Sequence, residues 1–125
     1  MAGTSARLVF LTHSVDIERV KRSGRRSQTP YFNVMSYTSG DRPTRVGVIV
    51  GRRLGGAVLR NRAKRIFRAL ARQSAAQFVG GRDVLVFPRR DALTISHKTL
   101  KAHWTAALRR DGLIKDRSCD AAASP

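Results

Sequence analysis

At 125 residues the chain is long enough for one domain with one modest core and too short for a second catalytic domain. Lys and Arg total 25 against 8 Asp and Glu, a formal charge of +17, and Arg supplies 20 of those 25; its planar fork suits bidentate phosphate contact and base stacking, which favours a nucleic-acid partner over a diffuse membrane patch. A hydrophobic content of 42% excludes a wholly disordered basic tail. The opening Met1-Ala2-Gly3-Thr4-Ser5 is small and polar and is expected to fray. A first helix is predicted over 14–22, with Ser14 as N-cap, Ile17 and Val20 on its inner face and Gly24 beyond its end; its basic end runs on into Lys21-Arg22-Ser23-Gly24-Arg25-Arg26. Residues 31–38 alternate imperfectly and carry aromatic and β-favouring side chains, which predicts a strand. Ser39-Gly40-Asp41-Arg42-Pro43 supplies turn chemistry, and the apolar run 46–50 answers as a partner strand, so a hairpin is expected.

A long helix is predicted over 57–77. Leu59, Ala63, Ile66, Phe67, Leu70 and Ser74 fall on one side of it, while Arg60, Asn61, Lys64, Arg65, Arg68 and Arg72 occupy a separate arc of roughly 140°. Gly80-Gly81 ends that helix, 83–87 reads as a buried strand limited by Pro88, and a final helix over 96–109 turns Leu100, Trp104, Ala107 and Leu108 inward before stopping near Gly112. Residues 1–114 are thus expected to form a single domain and 115–125 a disordered polar tail. The order α-β-β-α-β-α, with room for one more strand before the long helix, predicts an α+β sandwich: helices packed on a small mixed sheet. The general preference for a βαβ crossover is right-handed, in about 98% of cases.

The single cysteine, Cys119, permits no internal disulfide, in keeping with a reducing cytoplasm. Apolar runs such as 46–50 and 84–87 fall far short of the roughly 18 residues a membrane span needs, and 8–11 is too short for a signal peptide, so a cytoplasmic protein with no membrane partner is expected.

Charge is concentrated. From Arg45 to Arg72 the basic residues are Arg45, Arg52, Arg53, Arg60, Arg62, Lys64, Arg65, Arg68 and Arg72, with no acidic residue among them, so this stretch holds more than half of the net +17. A salt-bridged surface helix would intersperse Glu or Asp at four-residue spacing; here like charges repel until a polyanion neutralises them. Gly51-Arg52-Arg53-Leu54-Gly55-Gly56 leaves a strand and enters the helix, and its glycines let backbone approach an anion at the helix N-terminus. It is not a nucleotide loop of the Walker kind, since Ala57-Val58 stand where Lys and Ser or Thr would bind triphosphate and Mg²⁺. Contact with phosphodiesters fits it better.

The usual catalytic constellations are missing. A metal nuclease converges several carboxylates on its cations, but Asp16, Glu18, Asp41, Asp83, Asp91, Asp111, Asp116 and Asp120 are scattered over different elements. His13, His97 and His103 lack the spacing of a zinc helix, and His97 and His103 lie six apart on a helix, which sets them on opposite sides and argues against a two-histidine ribonuclease. No catalytic residue is therefore assigned to the polypeptide.

The run Arg52-Arg53-Leu54-Gly55-Gly56-Ala57-Val58-Leu59-Arg60-Asn61-Arg62-Ala63-Lys64-Arg65 resembles the signature of the bacterial ribonuclease P protein subunit, meeting almost every position of it. The resemblance extends over roughly 11–113 through Asp16-Ile17-Glu18-Arg19-Val20, Gly24, the strands, and Arg89-Arg90 after the last one. It implies a ribosomal protein S5 domain 2-like fold with a left-handed βαβ crossover, against the general preference. It further implies a 1:1 holoenzyme in which a catalytic RNA, holding most of the Mg²⁺, removes the 5′ leader of precursor tRNA while the protein docks on that RNA and contacts the leader. By the same resemblance Arg60, Asn61, Arg62, Lys64, Arg65 and Arg68 lie on the RNA-facing surface of the long helix, with Arg62 near the edge of the helical arc; Arg52 and Arg53 beside the glycine loop and Arg72 on the same arc join them as RNA-binding candidates. The leader would lie in a cleft between sheet and first helix, with Ile17, Lys21, Tyr31, Met35, Tyr37 and Arg89 as candidates. The chain departs from the family here: Ile17 and Lys21 stand where Phe is common and Met35 where a strand Tyr is common. Phe10, Tyr31 and Tyr37 are the aromatic candidates to replace them, while Phe32, Phe67, Phe78 and Trp104 are expected to pack in the core.

Two other classes share the composition. A structural RNA-binding protein of ribosomal type matches size, charge and Arg content, and only the Arg60-Asn61-Arg62 context separates it from the processing subunit. A DNA-binding protein would read bases with three or four positions of one helix, fewer than the broad Arg-rich face found here.

Overall fold

The computed structural model describes residues 8–40 and 43–115. The elements in chain order are β1 (Val9–Phe10), α1 (Ser14–Ser23), β2 (Arg25–Gln28), β3 (Phe32–Thr38), β4 (Arg45–Val48), α2 (Ala57–Gln73), β5 (Arg82–Pro88) and α3 (His97–Arg110), with short 3-10 turns at Arg52–Leu54, Ala75–Gln77 and Arg90–Leu93. The five strands form one mixed sheet in the order β1-β4-β5-β3-β2. β4 runs parallel to both β1 and β5, whereas β3 runs antiparallel to β5 and β2. The α+β architecture expected from the sequence is therefore the one observed.

Side-chain alternation divides the sheet into two faces. Phe32, Val34, Val46, Val48, Val84 and Val86 join Phe67, Leu70 and Ala71 of α2 and Leu100, Trp104, Ala107 and Leu108 of α3 in the larger core. Trp104, Phe32 and Phe67 form a triangle of rings, with the Trp104 centroid 5.8 and 6.0 Å from those of Phe32 and Phe67 and the latter two 5.5 Å apart, and the Trp104 indole Nε1 donates to Ser74 Oγ at 3.0 Å. On the opposite face Leu11, Val20, Met35 and Leu85 form a smaller cluster beneath α1, with Ile17, Tyr37, Ile49 and Phe87 packed around it.

The predicted hairpin between 31–38 and 46–50 does not form. β5 lies between β3 and β4, so the turn-rich segment reverses the chain direction without pairing the strands it joins. The physical reason lies in β5, whose Val84 and Val86 face one core while Leu85 faces the other, so it must be covered on both sides and takes a central position. The crossing is close: Ser39 N–H donates to the Gly81 carbonyl at 2.7 Å, and a Cβ on Gly81, whose φ is +80°, would stand 2.2 Å from the Gly40 carbonyl oxygen. Asp41 and Arg42 of that segment lie outside the described residues, as do residues 1–7 and 116–125, which carry the expected frayed start and most of the expected tail. Lys115, assigned to the tail, donates its amide to the Gln77 carbonyl at 2.7 Å.

Other boundaries also move. His13, not Ser14, is the N-cap of α1, and no side chain caps it. Gly24 adopts an ordinary extended φ of −79°, and its need for glycine is steric, since a Cβ there would lie 2.5 Å from the Val20 carbonyl oxygen and 2.8 Å from that of Ser36. α2 stops at Gln73, because Ser74, held by the Trp104 indole, starts the tighter turn Ala75–Gln77; the helix does not continue to 77. Ser96 caps α3, accepting from the Thr99 amide at 3.1 Å.

Candidate nucleic-acid interface

α2 buries Ala63, Phe67, Leu70 and Ala71 against the sheet, so the opposite side of the helix must carry whatever the sequence places there. Asn61, Arg62, Arg65, Arg68 and Arg72 are exposed there, and Arg60 and Lys64 are half-buried. The guanidinium groups of Arg68 and Arg72 stand 5.8 and 5.2 Å from the centroid of the Phe10 ring. Phe10 pairs in register with Val46 and so belongs to the α2 face; it props the arginines and does not line the α1 side.

The glycine-rich approach to α2 forms a 3-10 turn with Arg52 and Arg53 exposed and Leu54 buried. Gly55 sits at φ +144°, where a Cβ would come 2.6 Å from Leu59 Cδ1. Gly56 caps the helix without a side-chain bond, and the first turn has no acidic residue. The amide end of the helix dipole thus faces solvent beside two arginines, the electrostatics an anion requires.

The α1 face carries a second basic feature, an open groove. At one end it is lined by Lys21, Arg26, Asn33, Met35 and Phe87. Sharing Asn33 and Phe87, it continues to Ile49, Gly51, Arg53, Leu54, Pro88, Arg89 and Arg90 at the ends of β4 and β5. Of the leader-cleft candidates, the structure brings Lys21, Met35 and Arg89 to this groove, with Ile17 and Tyr37 packed in the adjoining cluster. Tyr31 does not join them: its ring stands edge-on to His103 of α3, centroids 4.8 Å apart, although its carbonyl accepts from the Arg89 amide at 2.9 Å. Sequence reasoning missed Arg26, Asn33, Phe87 and Arg90. Phe87 had a readable signal, an aromatic at strand period from Leu85 with Arg89-Arg90 just beyond; Arg26 had none, because β2 reads as the basic end of a helix.

An ion-pair network centred on the buried Asp83 and partly open to solvent at Arg45 and Asp16 ties α1 to the sheet. Arg45 of β4 donates from Nε and Nη2 to the two carboxylate oxygens of Asp83 at 2.9 and 2.8 Å, and from Nη1 to Asp16 Oδ2 of α1 at 3.2 Å. Hydrogen bonding to Asp83 is the largest influence on Arg45 and, with the fields of Asp83 and Asp16, outweighs burial to raise its pKa above the ordinary value. Arg19 also reaches Asp16, at 3.3 Å. Two of the carboxylates that a metal would need are thereby committed to a guanidinium. Among the described residues, no three of His, Cys, Asp and Glu come together to hold a metal ion, and no helix is long and apolar enough to cross a membrane.

A mixed sheet covered by helices on both faces, with an acid-free arginine helix on one side and a cation-rimmed groove on the other, defines the chain as an α+β protein of the nucleic-acid-binding class. A family model described as Ribonuclease P matches residues 6–111. The ribonuclease P protein component of Syntrophobacter fumaroxidans is 37% identical over 108 residues, covering 84% of this chain and 90% of the relative, and that of Desulforapulum autotrophicum is 34% identical over 91 residues, covering 73% and 78%. Among solved structures, the Thermotoga maritima RNase P protein superposes with a TM-score of 0.73 at 27% identity, covering 81% of this chain and 96% of that one. The Staphylococcus aureus RNase P protein, at 21% identity, shares the fold with a TM-score of 0.76 over 87% of this chain and 100% of its own. The chain belongs to the bacterial ribonuclease P protein component family, with the ribosomal protein S5 domain 2-like fold, and is a subunit of an endoribonuclease acting in tRNA 5′ maturation, partnered by the ribonuclease P RNA.

Proposed function

We propose that this chain works as one RNA-binding domain over 1–114 with a polar tail over 115–125, docking one protein to one catalytic RNA through α2 and its preceding turn and holding the 5′ leader of precursor tRNA in the groove beneath α1. The observation that carries this reading is the presence of two basic surfaces, the exposed side of α2 and the groove on the α1 face of the sheet, which meet at Arg53 in the turn before α2. On the docking side Arg52, Arg53, Arg60, Asn61, Arg62, Lys64, Arg65, Arg68 and Arg72 meet phosphates. On the leader side Lys21, Arg26, Arg53 and Arg89 flank a floor containing Met35, Asn33 and Phe87, and a single strand can track such a channel.

The reaction in this reading is phosphodiester hydrolysis in the cytoplasm that leaves a 5′-phosphate on tRNA. The carboxylates of the described residues do not converge on a site for Mg²⁺: Asp16 and Asp83 are turned onto Arg45, Glu18 and Asp111 lie beside Lys21 and Arg110, and Asp91 is exposed on the turn after β5. In this reading the RNA holds most of the Mg²⁺, and the protein's own part is to bind, orient and neutralise.

Reconstitution tests it. Cognate catalytic RNA and precursor tRNA at low Mg²⁺ and moderate salt are expected to give leader cleavage that rises on adding the protein, with tighter binding of precursor than of mature tRNA. Absence of both stimulation and RNA binding would overturn the reading.

A further inference from the structure

Asn33 and Phe87 face each other directly across the β3–β5 ladder, and both line the two adjoining parts of the groove. Opposed residues of an antiparallel pair have Cβ atoms about 4.5–5.5 Å apart, close enough for one planar ligand to touch both side chains. Phe87 is half-buried, and Asn33 Oδ1 is closed off from solvent and has no hydrogen-bond partner. A buried unpaired carbonyl loses its hydration without return; the strand neighbours Met35 and Phe87 carry no side-chain donor, and Lys21 and Arg26, which line the same end of the groove, do not bond to it. Its terminal amide can turn end for end at constant shape, presenting a donor and an acceptor side by side. Cations stand on both sides of the pair, Lys21 and Arg26 at one end and Arg53 and Arg89 at the other. An aromatic ring, an amide oxygen without a partner beside it and flanking cations match the face, the edge and the two flanking phosphates of one nucleotide.

We propose that the Asn33–Phe87 pair seats one nucleobase of the single-stranded leader, with Phe87 stacked on its face and Asn33 hydrogen-bonded to its edge. The seat rests on the leader-binding reading above and gives it a position. It also supplies from β5 the stacking surface that Ile17, Lys21 and Met35 cannot provide.

The test uses the reconstituted holoenzyme and a series of precursor tRNAs, each with one abasic leader nucleotide, with equilibrium binding measured alongside mature tRNA. The variants are Phe87→Leu, which keeps apolar packing while removing the ring, and Asn33→Leu, which keeps the volume; circular dichroism and thermal melting check that each folds. Phe87→Leu is expected to weaken intact precursor roughly tenfold, and Asn33→Leu about threefold to tenfold. Both losses should vanish at the same single abasic position and persist at all others, with mature tRNA affinity moved in neither variant. Folded variants whose losses persist at every abasic position, or extend equally to mature tRNA, would overturn the seat while leaving leader binding intact. A wild-type holoenzyme that binds precursor and mature tRNA equally would instead overturn leader binding, and the seat with it.

Discussion

Arg65 and Arg68 project from α2 as exposed guanidinium groups with no carboxylate on that face of the helix, so their natural counter-ions are phosphates. Replacing both with Ala is expected to weaken association with the catalytic RNA and to flatten the dependence of log affinity on log salt by about one unit for each phosphate left without its arginine. Binding isotherms at several salt concentrations measure this, and an unchanged slope removes the two residues from the interface. Arg68 differs from Arg65 in leaning on Phe10, an interaction worth about 0.5–1 kcal/mol at an exposed site, which narrows the positions its guanidinium samples before RNA arrives. The charges of this face were legible from spacing alone, because a 3.6-residue period assigns each position of a helix to a side. The Phe10 prop was not, since it depends on which strand lies beside β4.

Among the elements, α1 is joined to the sheet by one ion-pair network besides its apolar cluster. Asp16 on the helix, Arg45 on β4 and Asp83 on β5 form one network in which Asp83 is fully buried. Arg45→Met leaves the Asp83 carboxylate without its bidentate partner, and the expected loss is about 3–5 kcal/mol in denaturant unfolding. Arg45→Lys should lose less, because an ammonium keeps the charge but cannot span both carboxylates in the same fork geometry. A loss below about 1 kcal/mol for Arg45→Met would show that the network does not hold α1. All three helices and β3, β4 and β5 were readable from periodicity and apolar runs. β2 was hidden by its exposed arginines, the composition that protects an edge strand from unwanted pairing, and β1 by its length of two residues. Turn residues between 39 and 43 announced a reversal of direction, but pairing depends on which strand most needs covering, and that strand, β5, comes some forty residues later.

Over the whole molecule, +17 on 125 residues has opposite consequences for the free and bound states. Alone, the folded protein brings like charges together on α2, so raising salt from about 0.05 to 0.5 M, which shortens the screening length to a few ångströms, is expected to raise its Tm. The same change releases the counter-ion advantage of binding and is expected to weaken RNA association by orders of magnitude. Thermal melts of the free protein set against binding isotherms in the same buffers check the pair of signs; a Tm that falls with salt would mean that self-repulsion does not govern its stability.

By itself the sequence determined what depends on local period and chemistry: the helices and main strands, the division of α2 into core and charge, and the family signature at 52–65. Tertiary structure decided what depends on distant residues meeting. It placed β5 between β3 and β4, turned Asp16 and Asp83 onto Arg45, sent Tyr31 to α3, and set Asn33 opposite Phe87 in a groove. Periodicity tells each residue which side of its own element it occupies; only the packing of elements tells it what stands across the gap.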